Sequence, residues 1–591
     1  MNAPAAGPAA APARRSPRIE TLLPIVGFLR RYDRPTLRSD LMAGLTVAVM
    51  LVPQAMAYAA LAGMPPVTGL YAAVVPVLVY ALLGTSGSLA VGPVAITALM
   101  TGAALAPLAD GDPARYVALA GLLALLVGAI QVLLGVLRLG VLVNFMSHSV
   151  LSGFTSAAAI VIAGSQLKDL LGLDAKRAET FPEIVRSVVG ALDTVHWLTV
   201  GVAVVSIAGL VALRRYAPRL PGALIVVAGV TAISAVAAFG ERGVAILREV
   251  PAGLPAPDLP ALALADVTAL LPSAVAIALV AYMEGIAVAK ALAAKTRQHV
   301  DANQELVAVG GANVAAGFFQ AFPVAGGFSR SAVNHQAGAR TPVASMVTAL
   351  VVGVTALALT PLFYDLPKAV LGAIVVVAVL GLVDRRSAVH AWRARHSDGV
   401  AVGLTFLVTL LFGVEPGLAA GVVFSLAVFL WRSSRPHTAE LGRVPCTETY
   451  RNIRRYEVLT DPSVLLLRVD GPLYFANAQR LEDHVLGTVQ ARPAVRAVVL
   501  DASTISDTDA DGAHALAQLR ERLADEDVAL HLATVRGPVR DLLDRAQAWG
   551  PFADAGAVHP DVAGAVEAVG LPANSPLHVE CDPSRVPQGV L

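Results

Sequence analysis

From Leu41 to Leu430 the chain is written in long apolar runs separated by short polar clusters; after Arg432 the pattern changes to short alternating segments. Apolar runs of about twenty residues fit membrane-crossing helices. They fall near 41–62, 67–83, 94–108, 116–137, 148–171, 196–213 and 221–239, and again near 267–292, 304–320, 328–338, 342–362, 366–383, 399–413 and 416–432. The third run of each set is short, and each short run follows a Pro/Gly-rich break. The first break reads Ser88-Leu-Ala-Val-Gly92-Pro93-Val94-Ala95, and the second Phe322-Pro323-Val-Ala-Gly326-Gly327-Phe328-Ser329-Arg330-Ser331. In lipid, a broken helix leaves backbone N–H groups without partners, which is tolerable only where they face a protein-enclosed cavity. Two breaks in matching positions predict a 14-span polytopic helical protein, built as a 7+7 inverted repeat with half-length spans 3 and 10 and a solute site between them.

Beyond the last run, Val464–Val469, Leu473–Phe475, Val495–Leu500 and Val528–Ala533 read as strands, with helices over Gln479–Val489, Gly512–Leu523 and Val539–Ala546. Strands alternating with helices predict a small α/β domain with a mainly parallel sheet. The expected organisation is a disordered segment at 1–20, a transmembrane domain at 21–435, the α/β domain at 452–570 and a tail at 571–591.

Composition agrees with this division. The 591 residues are 56% hydrophobic and only 15% charged, against about 25% charged in an ordinary soluble protein. The net charge of +1 selects no partner, and nothing points to nucleic acid. The two cysteines, Cys446 and Cys581, both lie in the tail, where a reduced, cytosolic domain is the economical expectation. Basic residues collect in short cytoplasmic loops. With fourteen spans, one side receives Arg30, Arg31, Arg34 and Arg38, then Arg214, Arg215 and Arg219, then Lys290, Lys295 and Arg297. The same side receives Arg385, Arg386, Arg393 and Arg395, and finally Arg432 and Arg435. Asp110, Asp112 and Glu415 fall on the other. Both termini are therefore expected inside, with the chain in the plasma membrane.

Several blocks carry a family resemblance. Asp40-Leu-Met-Ala-Gly44-Leu-Thr46 followed by Val52-Pro53-Gln54-Ala-Met-Ala57-Tyr58-Ala59 resembles the opening of SulP anion transporters, relatives of animal solute carrier family 26. Gly69-Leu-Tyr71-Ala, Val150-Leu-Ser-Gly-Phe154-Thr-Ser-Ala157, Asp301-Ala-Asn-Gln304-Glu305-Leu and Phe328-Ser329-Arg330-Ser331 match further blocks, and the tail resembles a STAS domain. The resemblance implies a core domain (spans 1–4 and 8–11) moving against a gate domain (spans 5–7 and 12–14), and assembly as a homodimer. The STAS-like stretch departs from the soluble anti-sigma antagonists at one point: Asp511 stands where they carry a phosphorylatable serine.

An anion in a membrane needs positive potential at small desolvation cost, and the N-terminus of a half-helix supplies about half a unit charge with free N–H donors. Val94, Ala95, Phe328 and Ser329 are therefore candidate substrate-binding residues, with Ser329 able to add a hydroxyl. Arg330 is a functional candidate by virtue of its place in the membrane, and it resembles the family arginine that lends positive potential to the anion. Gln54 and Tyr58 share one helix face and match positions that line the family's cavity; interhelical hydrogen bonding is the competing reading. Glu284 matches an acidic position which in some family members helps bind the coupling cation. A carboxyl in low dielectric can take up a proton as its anion partner arrives; a permanent Glu284–Arg330 structural pair is the alternative.

These residues predict a secondary active transporter of a small anion, with sulfate slightly preferred over bicarbonate or a C4-dicarboxylate. H⁺ or Na⁺ is the coupling ion, and no other cofactor or metal is expected. An uncoupled anion conductor and a STAS-based membrane regulator are the rival classes. An enzyme is not expected, because no nucleophile–base set or metal cluster is apparent.

Overall fold

The computed structural model describes residues 23–578 apart from 31, 110, 141–146, 176–177, 179, 218–219, 261–262, 297 and 573–574. Arg31, Asp110, Arg219, Arg297 and Cys581 therefore lie outside the described residues, as do the expected segment 1–20 and most of the tail. The chain divides into two compact units, Met1–Ser425 and Leu426–Leu591.

Each expected apolar run of the first unit contains helix. The first half comprises α1 (Arg34–Ala62), α2 (Pro66–Ala72), α3 (Val75–Leu83), β1 (Val91–Gly92), α4 (Ala95–Leu105), α5 (Pro113–Val136), α6 (His148–Ser165), α7 (Leu167–Leu171), α8 (Phe181–Gly190), α9 (Trp197–Tyr216) and α10 (Gly222–Val236). The second half holds α11 (Leu264–Thr296), α12 (Ala302–Phe318), β2 (Ala325–Gly326), α13 (Phe328–Gln336), α14 (Val343–Val354), α15 (Lys368–Val379), α16 (Arg385–Ala394), α17 (His396–Phe412) and α18 (Val414–Ser433), the last reaching into the second unit. Among the described residues, eight helical stretches are long and apolar enough to cross a bilayer by themselves.

Local chemistry sets the boundaries. Asp33 caps α1 by accepting from the Thr36 amide, and Gly63 closes the helix in the left-handed conformation at φ 82°. The run at 67–83 is two helices rather than one, because Pro76 opens the second and cannot donate back into the first. The run at 342–362 likewise loosens after Val354 into a wide turn and then a tight one that contains Pro361.

Helices α5 and α12 approach through glycines spaced by seven. A Cβ on Gly128 would stand 2.6 Å from the Gly310 carbonyl oxygen, and one on Gly317 would stand 2.7 Å from that of Gly121. Small residues permit such close backbone contact, the main source of helix association in lipid.

The second unit is an α/β domain. Its strands are β3 (His437–Arg443), β4 (Tyr450–Asn452), β5 (Val464–Asp470), β6 (Ala497–Asp501), β7 (Ala529–Ala533) and β8 (Val558–His559), in spatial order β4-β3-β5-β6-β7-β8. β5 to β8 run parallel and β3 pairs antiparallel on both sides. Helices α19 (Ala478–Ala491), α20 (Ala510–Asp525) and α21 (Gly537–Arg545) connect the parallel strands. β3, β4 and β8 are additional to the strands read from sequence. Leu473–Phe475 is not a strand: Leu473 makes one bridge to Thr508, and the Tyr474 amide turns back onto Asn477 Oδ1. Cys446 is disulfide-bonded, which overturns the expectation of a reduced tail.

Candidate anion site

The two breaks become one structure. β1 and β2 are two-residue strands that pair antiparallel, Val91 opposite Gly326 and Gly92 opposite Ala325. The Gly327 amide also donates to the Ala90 carbonyl at 3.1 Å. Backbone groups that the breaks release from helix are thus used by the opposite break, which answers the lipid constraint. Both short helices start at this strand pair. Val94 is the N-cap of α4 and Gly327 that of α13, both extended and neither with a side-chain cap. The helices contain 11 and 9 residues, hence about 16 and 14 Å of rise, roughly half a hydrocarbon core.

Side chains reinforce the crossing. Ser331 Oγ accepts from the Ala90 amide at 2.9 Å and donates to the Gly327 carbonyl at 2.7 Å. Asn334 Nδ2 donates to the Ser88 carbonyl at 3.1 Å. On the opposite side Asn313, from α12, receives the Val324 amide at 2.7 Å and donates to the Val324 carbonyl at 3.1 Å. Asn313 is tied in turn to Gln131, whose own amide reaches the Ala278 carbonyl on α11.

Arg330 is 3% exposed. Its Nη1 donates to the Pro93 carbonyl at 2.6 Å, so an α13 side chain holds the residue before the α4 cap. Nε and Nη2 are buried and have no hydrogen-bond partner among the described residues. Glycines make room for the guanidinium: a Cβ on Gly92 would lie 3.3 Å from Nη2, and one on Gly327 would lie 3.1 Å from it. Gly92, at φ 151°, also adopts a backbone conformation that side-chain-bearing residues rarely take.

The same region receives Tyr58 from α1 and Glu284 from α11, which form one electrostatic cluster with Arg330. Glu284 and Arg330 make no ion pair among the described residues, and Glu284 Oε2 is shut off from solvent without a partner. Val94, Ala281 and Ala325 pack together, fastening the α4 cap, the helix of Glu284 and β2 to one another. Gln54 is half-buried one turn before buried Tyr58, and Val94 and Ala95 are buried. Phe328 and Ser329 are exposed, so the Ser329 hydroxyl is the open edge of the α13 start.

The sequence reading misses the supports. Glu305, only 1% exposed, accepts from Tyr80 Oη, the Thr85 amide, Thr85 Oγ1 and the Ser86 amide. Asp40 does the corresponding work on the segment after α13, accepting from the Arg340 and Thr341 amides, Thr341 Oγ1 and Tyr32 Oη. Gln298 joins these two loops, accepting from the Gly87 amide and donating to the Arg340 carbonyl. The signal available in sequence was a carboxylate or amide inside an apolar run, as at Gln131, Glu305 and Asn313. A buried polar group without a partner is too costly to be idle.

Comparisons with known proteins agree with this architecture. The sulfate permease family model matches residues 37–405, and the STAS domain model matches residues 455–563. The chain is 40% identical to sulfate transporter 4.1, chloroplastic, of Arabidopsis thaliana, over 87% of this chain and 78% of that protein. It is 39% identical to the probable sulfate transporter MT1781 of Mycobacterium tuberculosis, over 88% and 93% respectively. The murine solute carrier 26 family member A9 anion transporter, solved in the inward-facing state, superposes with a TM-score of 0.87 at 27% identity, covering 95% of this chain and 96% of that one.

Proposed function

The chain belongs to the sulfate permease family, and on that basis we propose that it is a secondary active transporter of a small anion, with sulfate the first substrate to test. Membership in a transporter family rather than an enzyme family accounts for the bulk of the chain. Relatives named as sulfate transporters, from a plant and from a bacterium, favour sulfate over bicarbonate and C4-dicarboxylates.

The observation that carries the reading is Arg330. Its guanidinium is buried at the joint start of two half-helices and spends one nitrogen on Pro93, leaving Nε and Nη2 undirected. A positive group with spare donors beside two helix N-termini is an anion cradle. Gln54, Tyr58, Val94, Ala95, Phe328, Ser329 and Arg330 line it. Glu284, near Arg330 yet not paired to it, serves as the coupling carboxylate for H⁺ or Na⁺. When the anion neutralises Arg330, the cation or proton neutralises Glu284, and the filled core domain crosses with little net charge. Movement is of the elevator type, the core displaced against the gate, in a homodimer of the plasma membrane with the N-terminus and STAS domain cytoplasmic.

Uptake of radiolabelled sulfate, bicarbonate and fumarate into proteoliposomes, with and without imposed pH and Na⁺ gradients, tests this. Gradient-driven accumulation of one anion is expected. Flux that ignores both gradients would remove the coupling role of Glu284 and leave an uncoupled conductor. Retained uptake after deletion of 452–591 would count against the regulator class.

A further inference from the structure

We propose that α16, with the adjoining end of α9, is a docking face for anionic phospholipid headgroups. α16 lies between two apolar helices, leaving α15 at Val379 and handing over to α17 at His396. Such a connector sits within a few residues of the bilayer boundary. It is strongly amphipathic, Arg385-Arg-Ser-Ala-Val389-His-Ala-Trp392-Arg-Ala, and none of its residues is buried.

Its attachment is specific. Asp384 caps it by accepting from the Arg386 and Ser387 amides and from Ser387 Oγ, while the Asp384 amide donates to Ser156 Oγ on α6. At the other end Trp392 meets His396 edge-on, with ring centroids 5.4 Å apart, and packs where a Cβ on Gly399 would come within 2.4 Å of its ring. The helix is thereby fixed at both ends.

Its surface carries Arg385, Arg386, Arg393 and Arg395, all exposed, interleaved with Val389 at 51% and Trp392 at 52% exposure. Arg214 extends the patch: its Nη2 stands 3.8 Å from where a Cβ on Gly381 would be, in the turn leading to α16. Arg215 and Tyr216, the latter 80% exposed, follow it. Among the described residues none of these six arginines is in an ion pair. The acids nearby are Asp384, committed to the cap, and Asp398 in the first turn of α17. Clustered arginines with an interfacial Trp and Tyr match a layer of phosphate headgroups over acyl chains. The exposed apolar side chains interleaved with these arginines, Val389, Trp392 and Tyr216, are too few for a protein interface of ordinary size, so lipid is the occupant the charge pattern favours.

The test uses the full-length protein in neutral detergent, with lipid retention followed by native mass spectrometry. Wild type should retain phosphatidylglycerol in preference to phosphatidylcholine. The variant carrying Arg385→Gln, Arg386→Gln, Arg393→Gln and Arg395→Gln should lose that preference by roughly tenfold. A control carrying Arg451→Gln, Arg454→Gln, Arg455→Gln and Arg496→Gln, four exposed arginines of the C-terminal unit, should keep it. On wild type alone the preference should fall as salt is raised, an arm that survives if the variant does not fold. Retained preference in the variant, salt-insensitive preference, or equal stabilisation by soluble glycerol phosphate would overturn the proposal. So would a changed oligomeric mass with lipid preference intact, which would mark a protein partner instead.

Discussion

Arg330 Nη1 donates to the carbonyl of Pro93 at 2.6 Å, so the cation of one half-helix holds the backbone that leads into the other. Removing it takes away the positive charge and loosens the joint at once. Arg330→Ala should lower anion uptake at least about tenfold, and Arg330→Lys should not restore it, because one ammonium cannot hold Pro93 and also offer a planar pair of donors. Uptake and equilibrium binding on the same preparation check this; wild-type binding in Arg330→Ala would remove the residue from the site.

Gly326 and Gly285 touch through their backbones. A Cβ on Gly326 would stand 2.7 Å from the Gly285 Cα and 3.0 Å from Leu89 Cδ1, and the Gly285 backbone cannot retreat without shifting α11. Gly326→Ala should destabilise the first unit by about 1–3 kcal/mol, the usual cost of overpacking. It should also impair coupling, since Glu284 adjoins Gly285. Gly229→Ala, where an added Cβ meets nothing within 4 Å, is the matched control. Thermal melting and gradient-driven uptake of the two variants should separate, and equal melting points would refute the packing argument.

How much of this could be read from the chain depends on the kind of atom involved. Pro and Gly interrupting apolar runs announce both breaks, and a lone Arg330 in such a run announces a cation. What the breaks do to each other is invisible, because β1 and β2 are two residues long and show no period. The Pro93 carbonyl that binds Arg330 is invisible for a related reason: every residue has a carbonyl, and only the fold selects one. In the second unit the buried parallel strands Val464–Asp470 and Ala497–Asp501 stand out as apolar runs. His437–Arg443 does not, since charged and apolar residues alternate there on a strand nearer the sheet edge.

Glu305 accepts four hydrogen bonds from Tyr80, Thr85 and Ser86, all donors on the segment leading to the first break. Glu305→Leu leaves several of them buried without a partner, at about 1–3 kcal/mol for each group stranded. Asn313→Leu should be comparably severe, stranding the Val324 amide and Gln131. Both variants should melt lower and transport less, whereas Glu305→Gln, which keeps an acceptor oxygen, should fall between. If Glu305→Leu melted like wild type, the clamp would carry no weight.

In the second unit His531 Nδ1 and His559 Nε2 lie 3.0 Å apart on adjacent parallel strands. One nitrogen must donate and the other accept, so the pair suits two neutral rings. Burial, then the neighbouring His559, pushes His531 below its ordinary value of 6.5; burial pushes His559 down as well, against Asp561. The unfolded chain therefore binds protons first as pH falls. Stability contributed by the pair is complete above about pH 6.5 and is lost as pH drops through the depressed values. Exchange protection of the β7 and β8 amides, corrected for intrinsic rates, should decline as pH falls below about 6.5 in the intact protein. His559→Gln, which can still hydrogen-bond His531 but does not titrate, should flatten that decline, and an unchanged slope would show that other groups carry it.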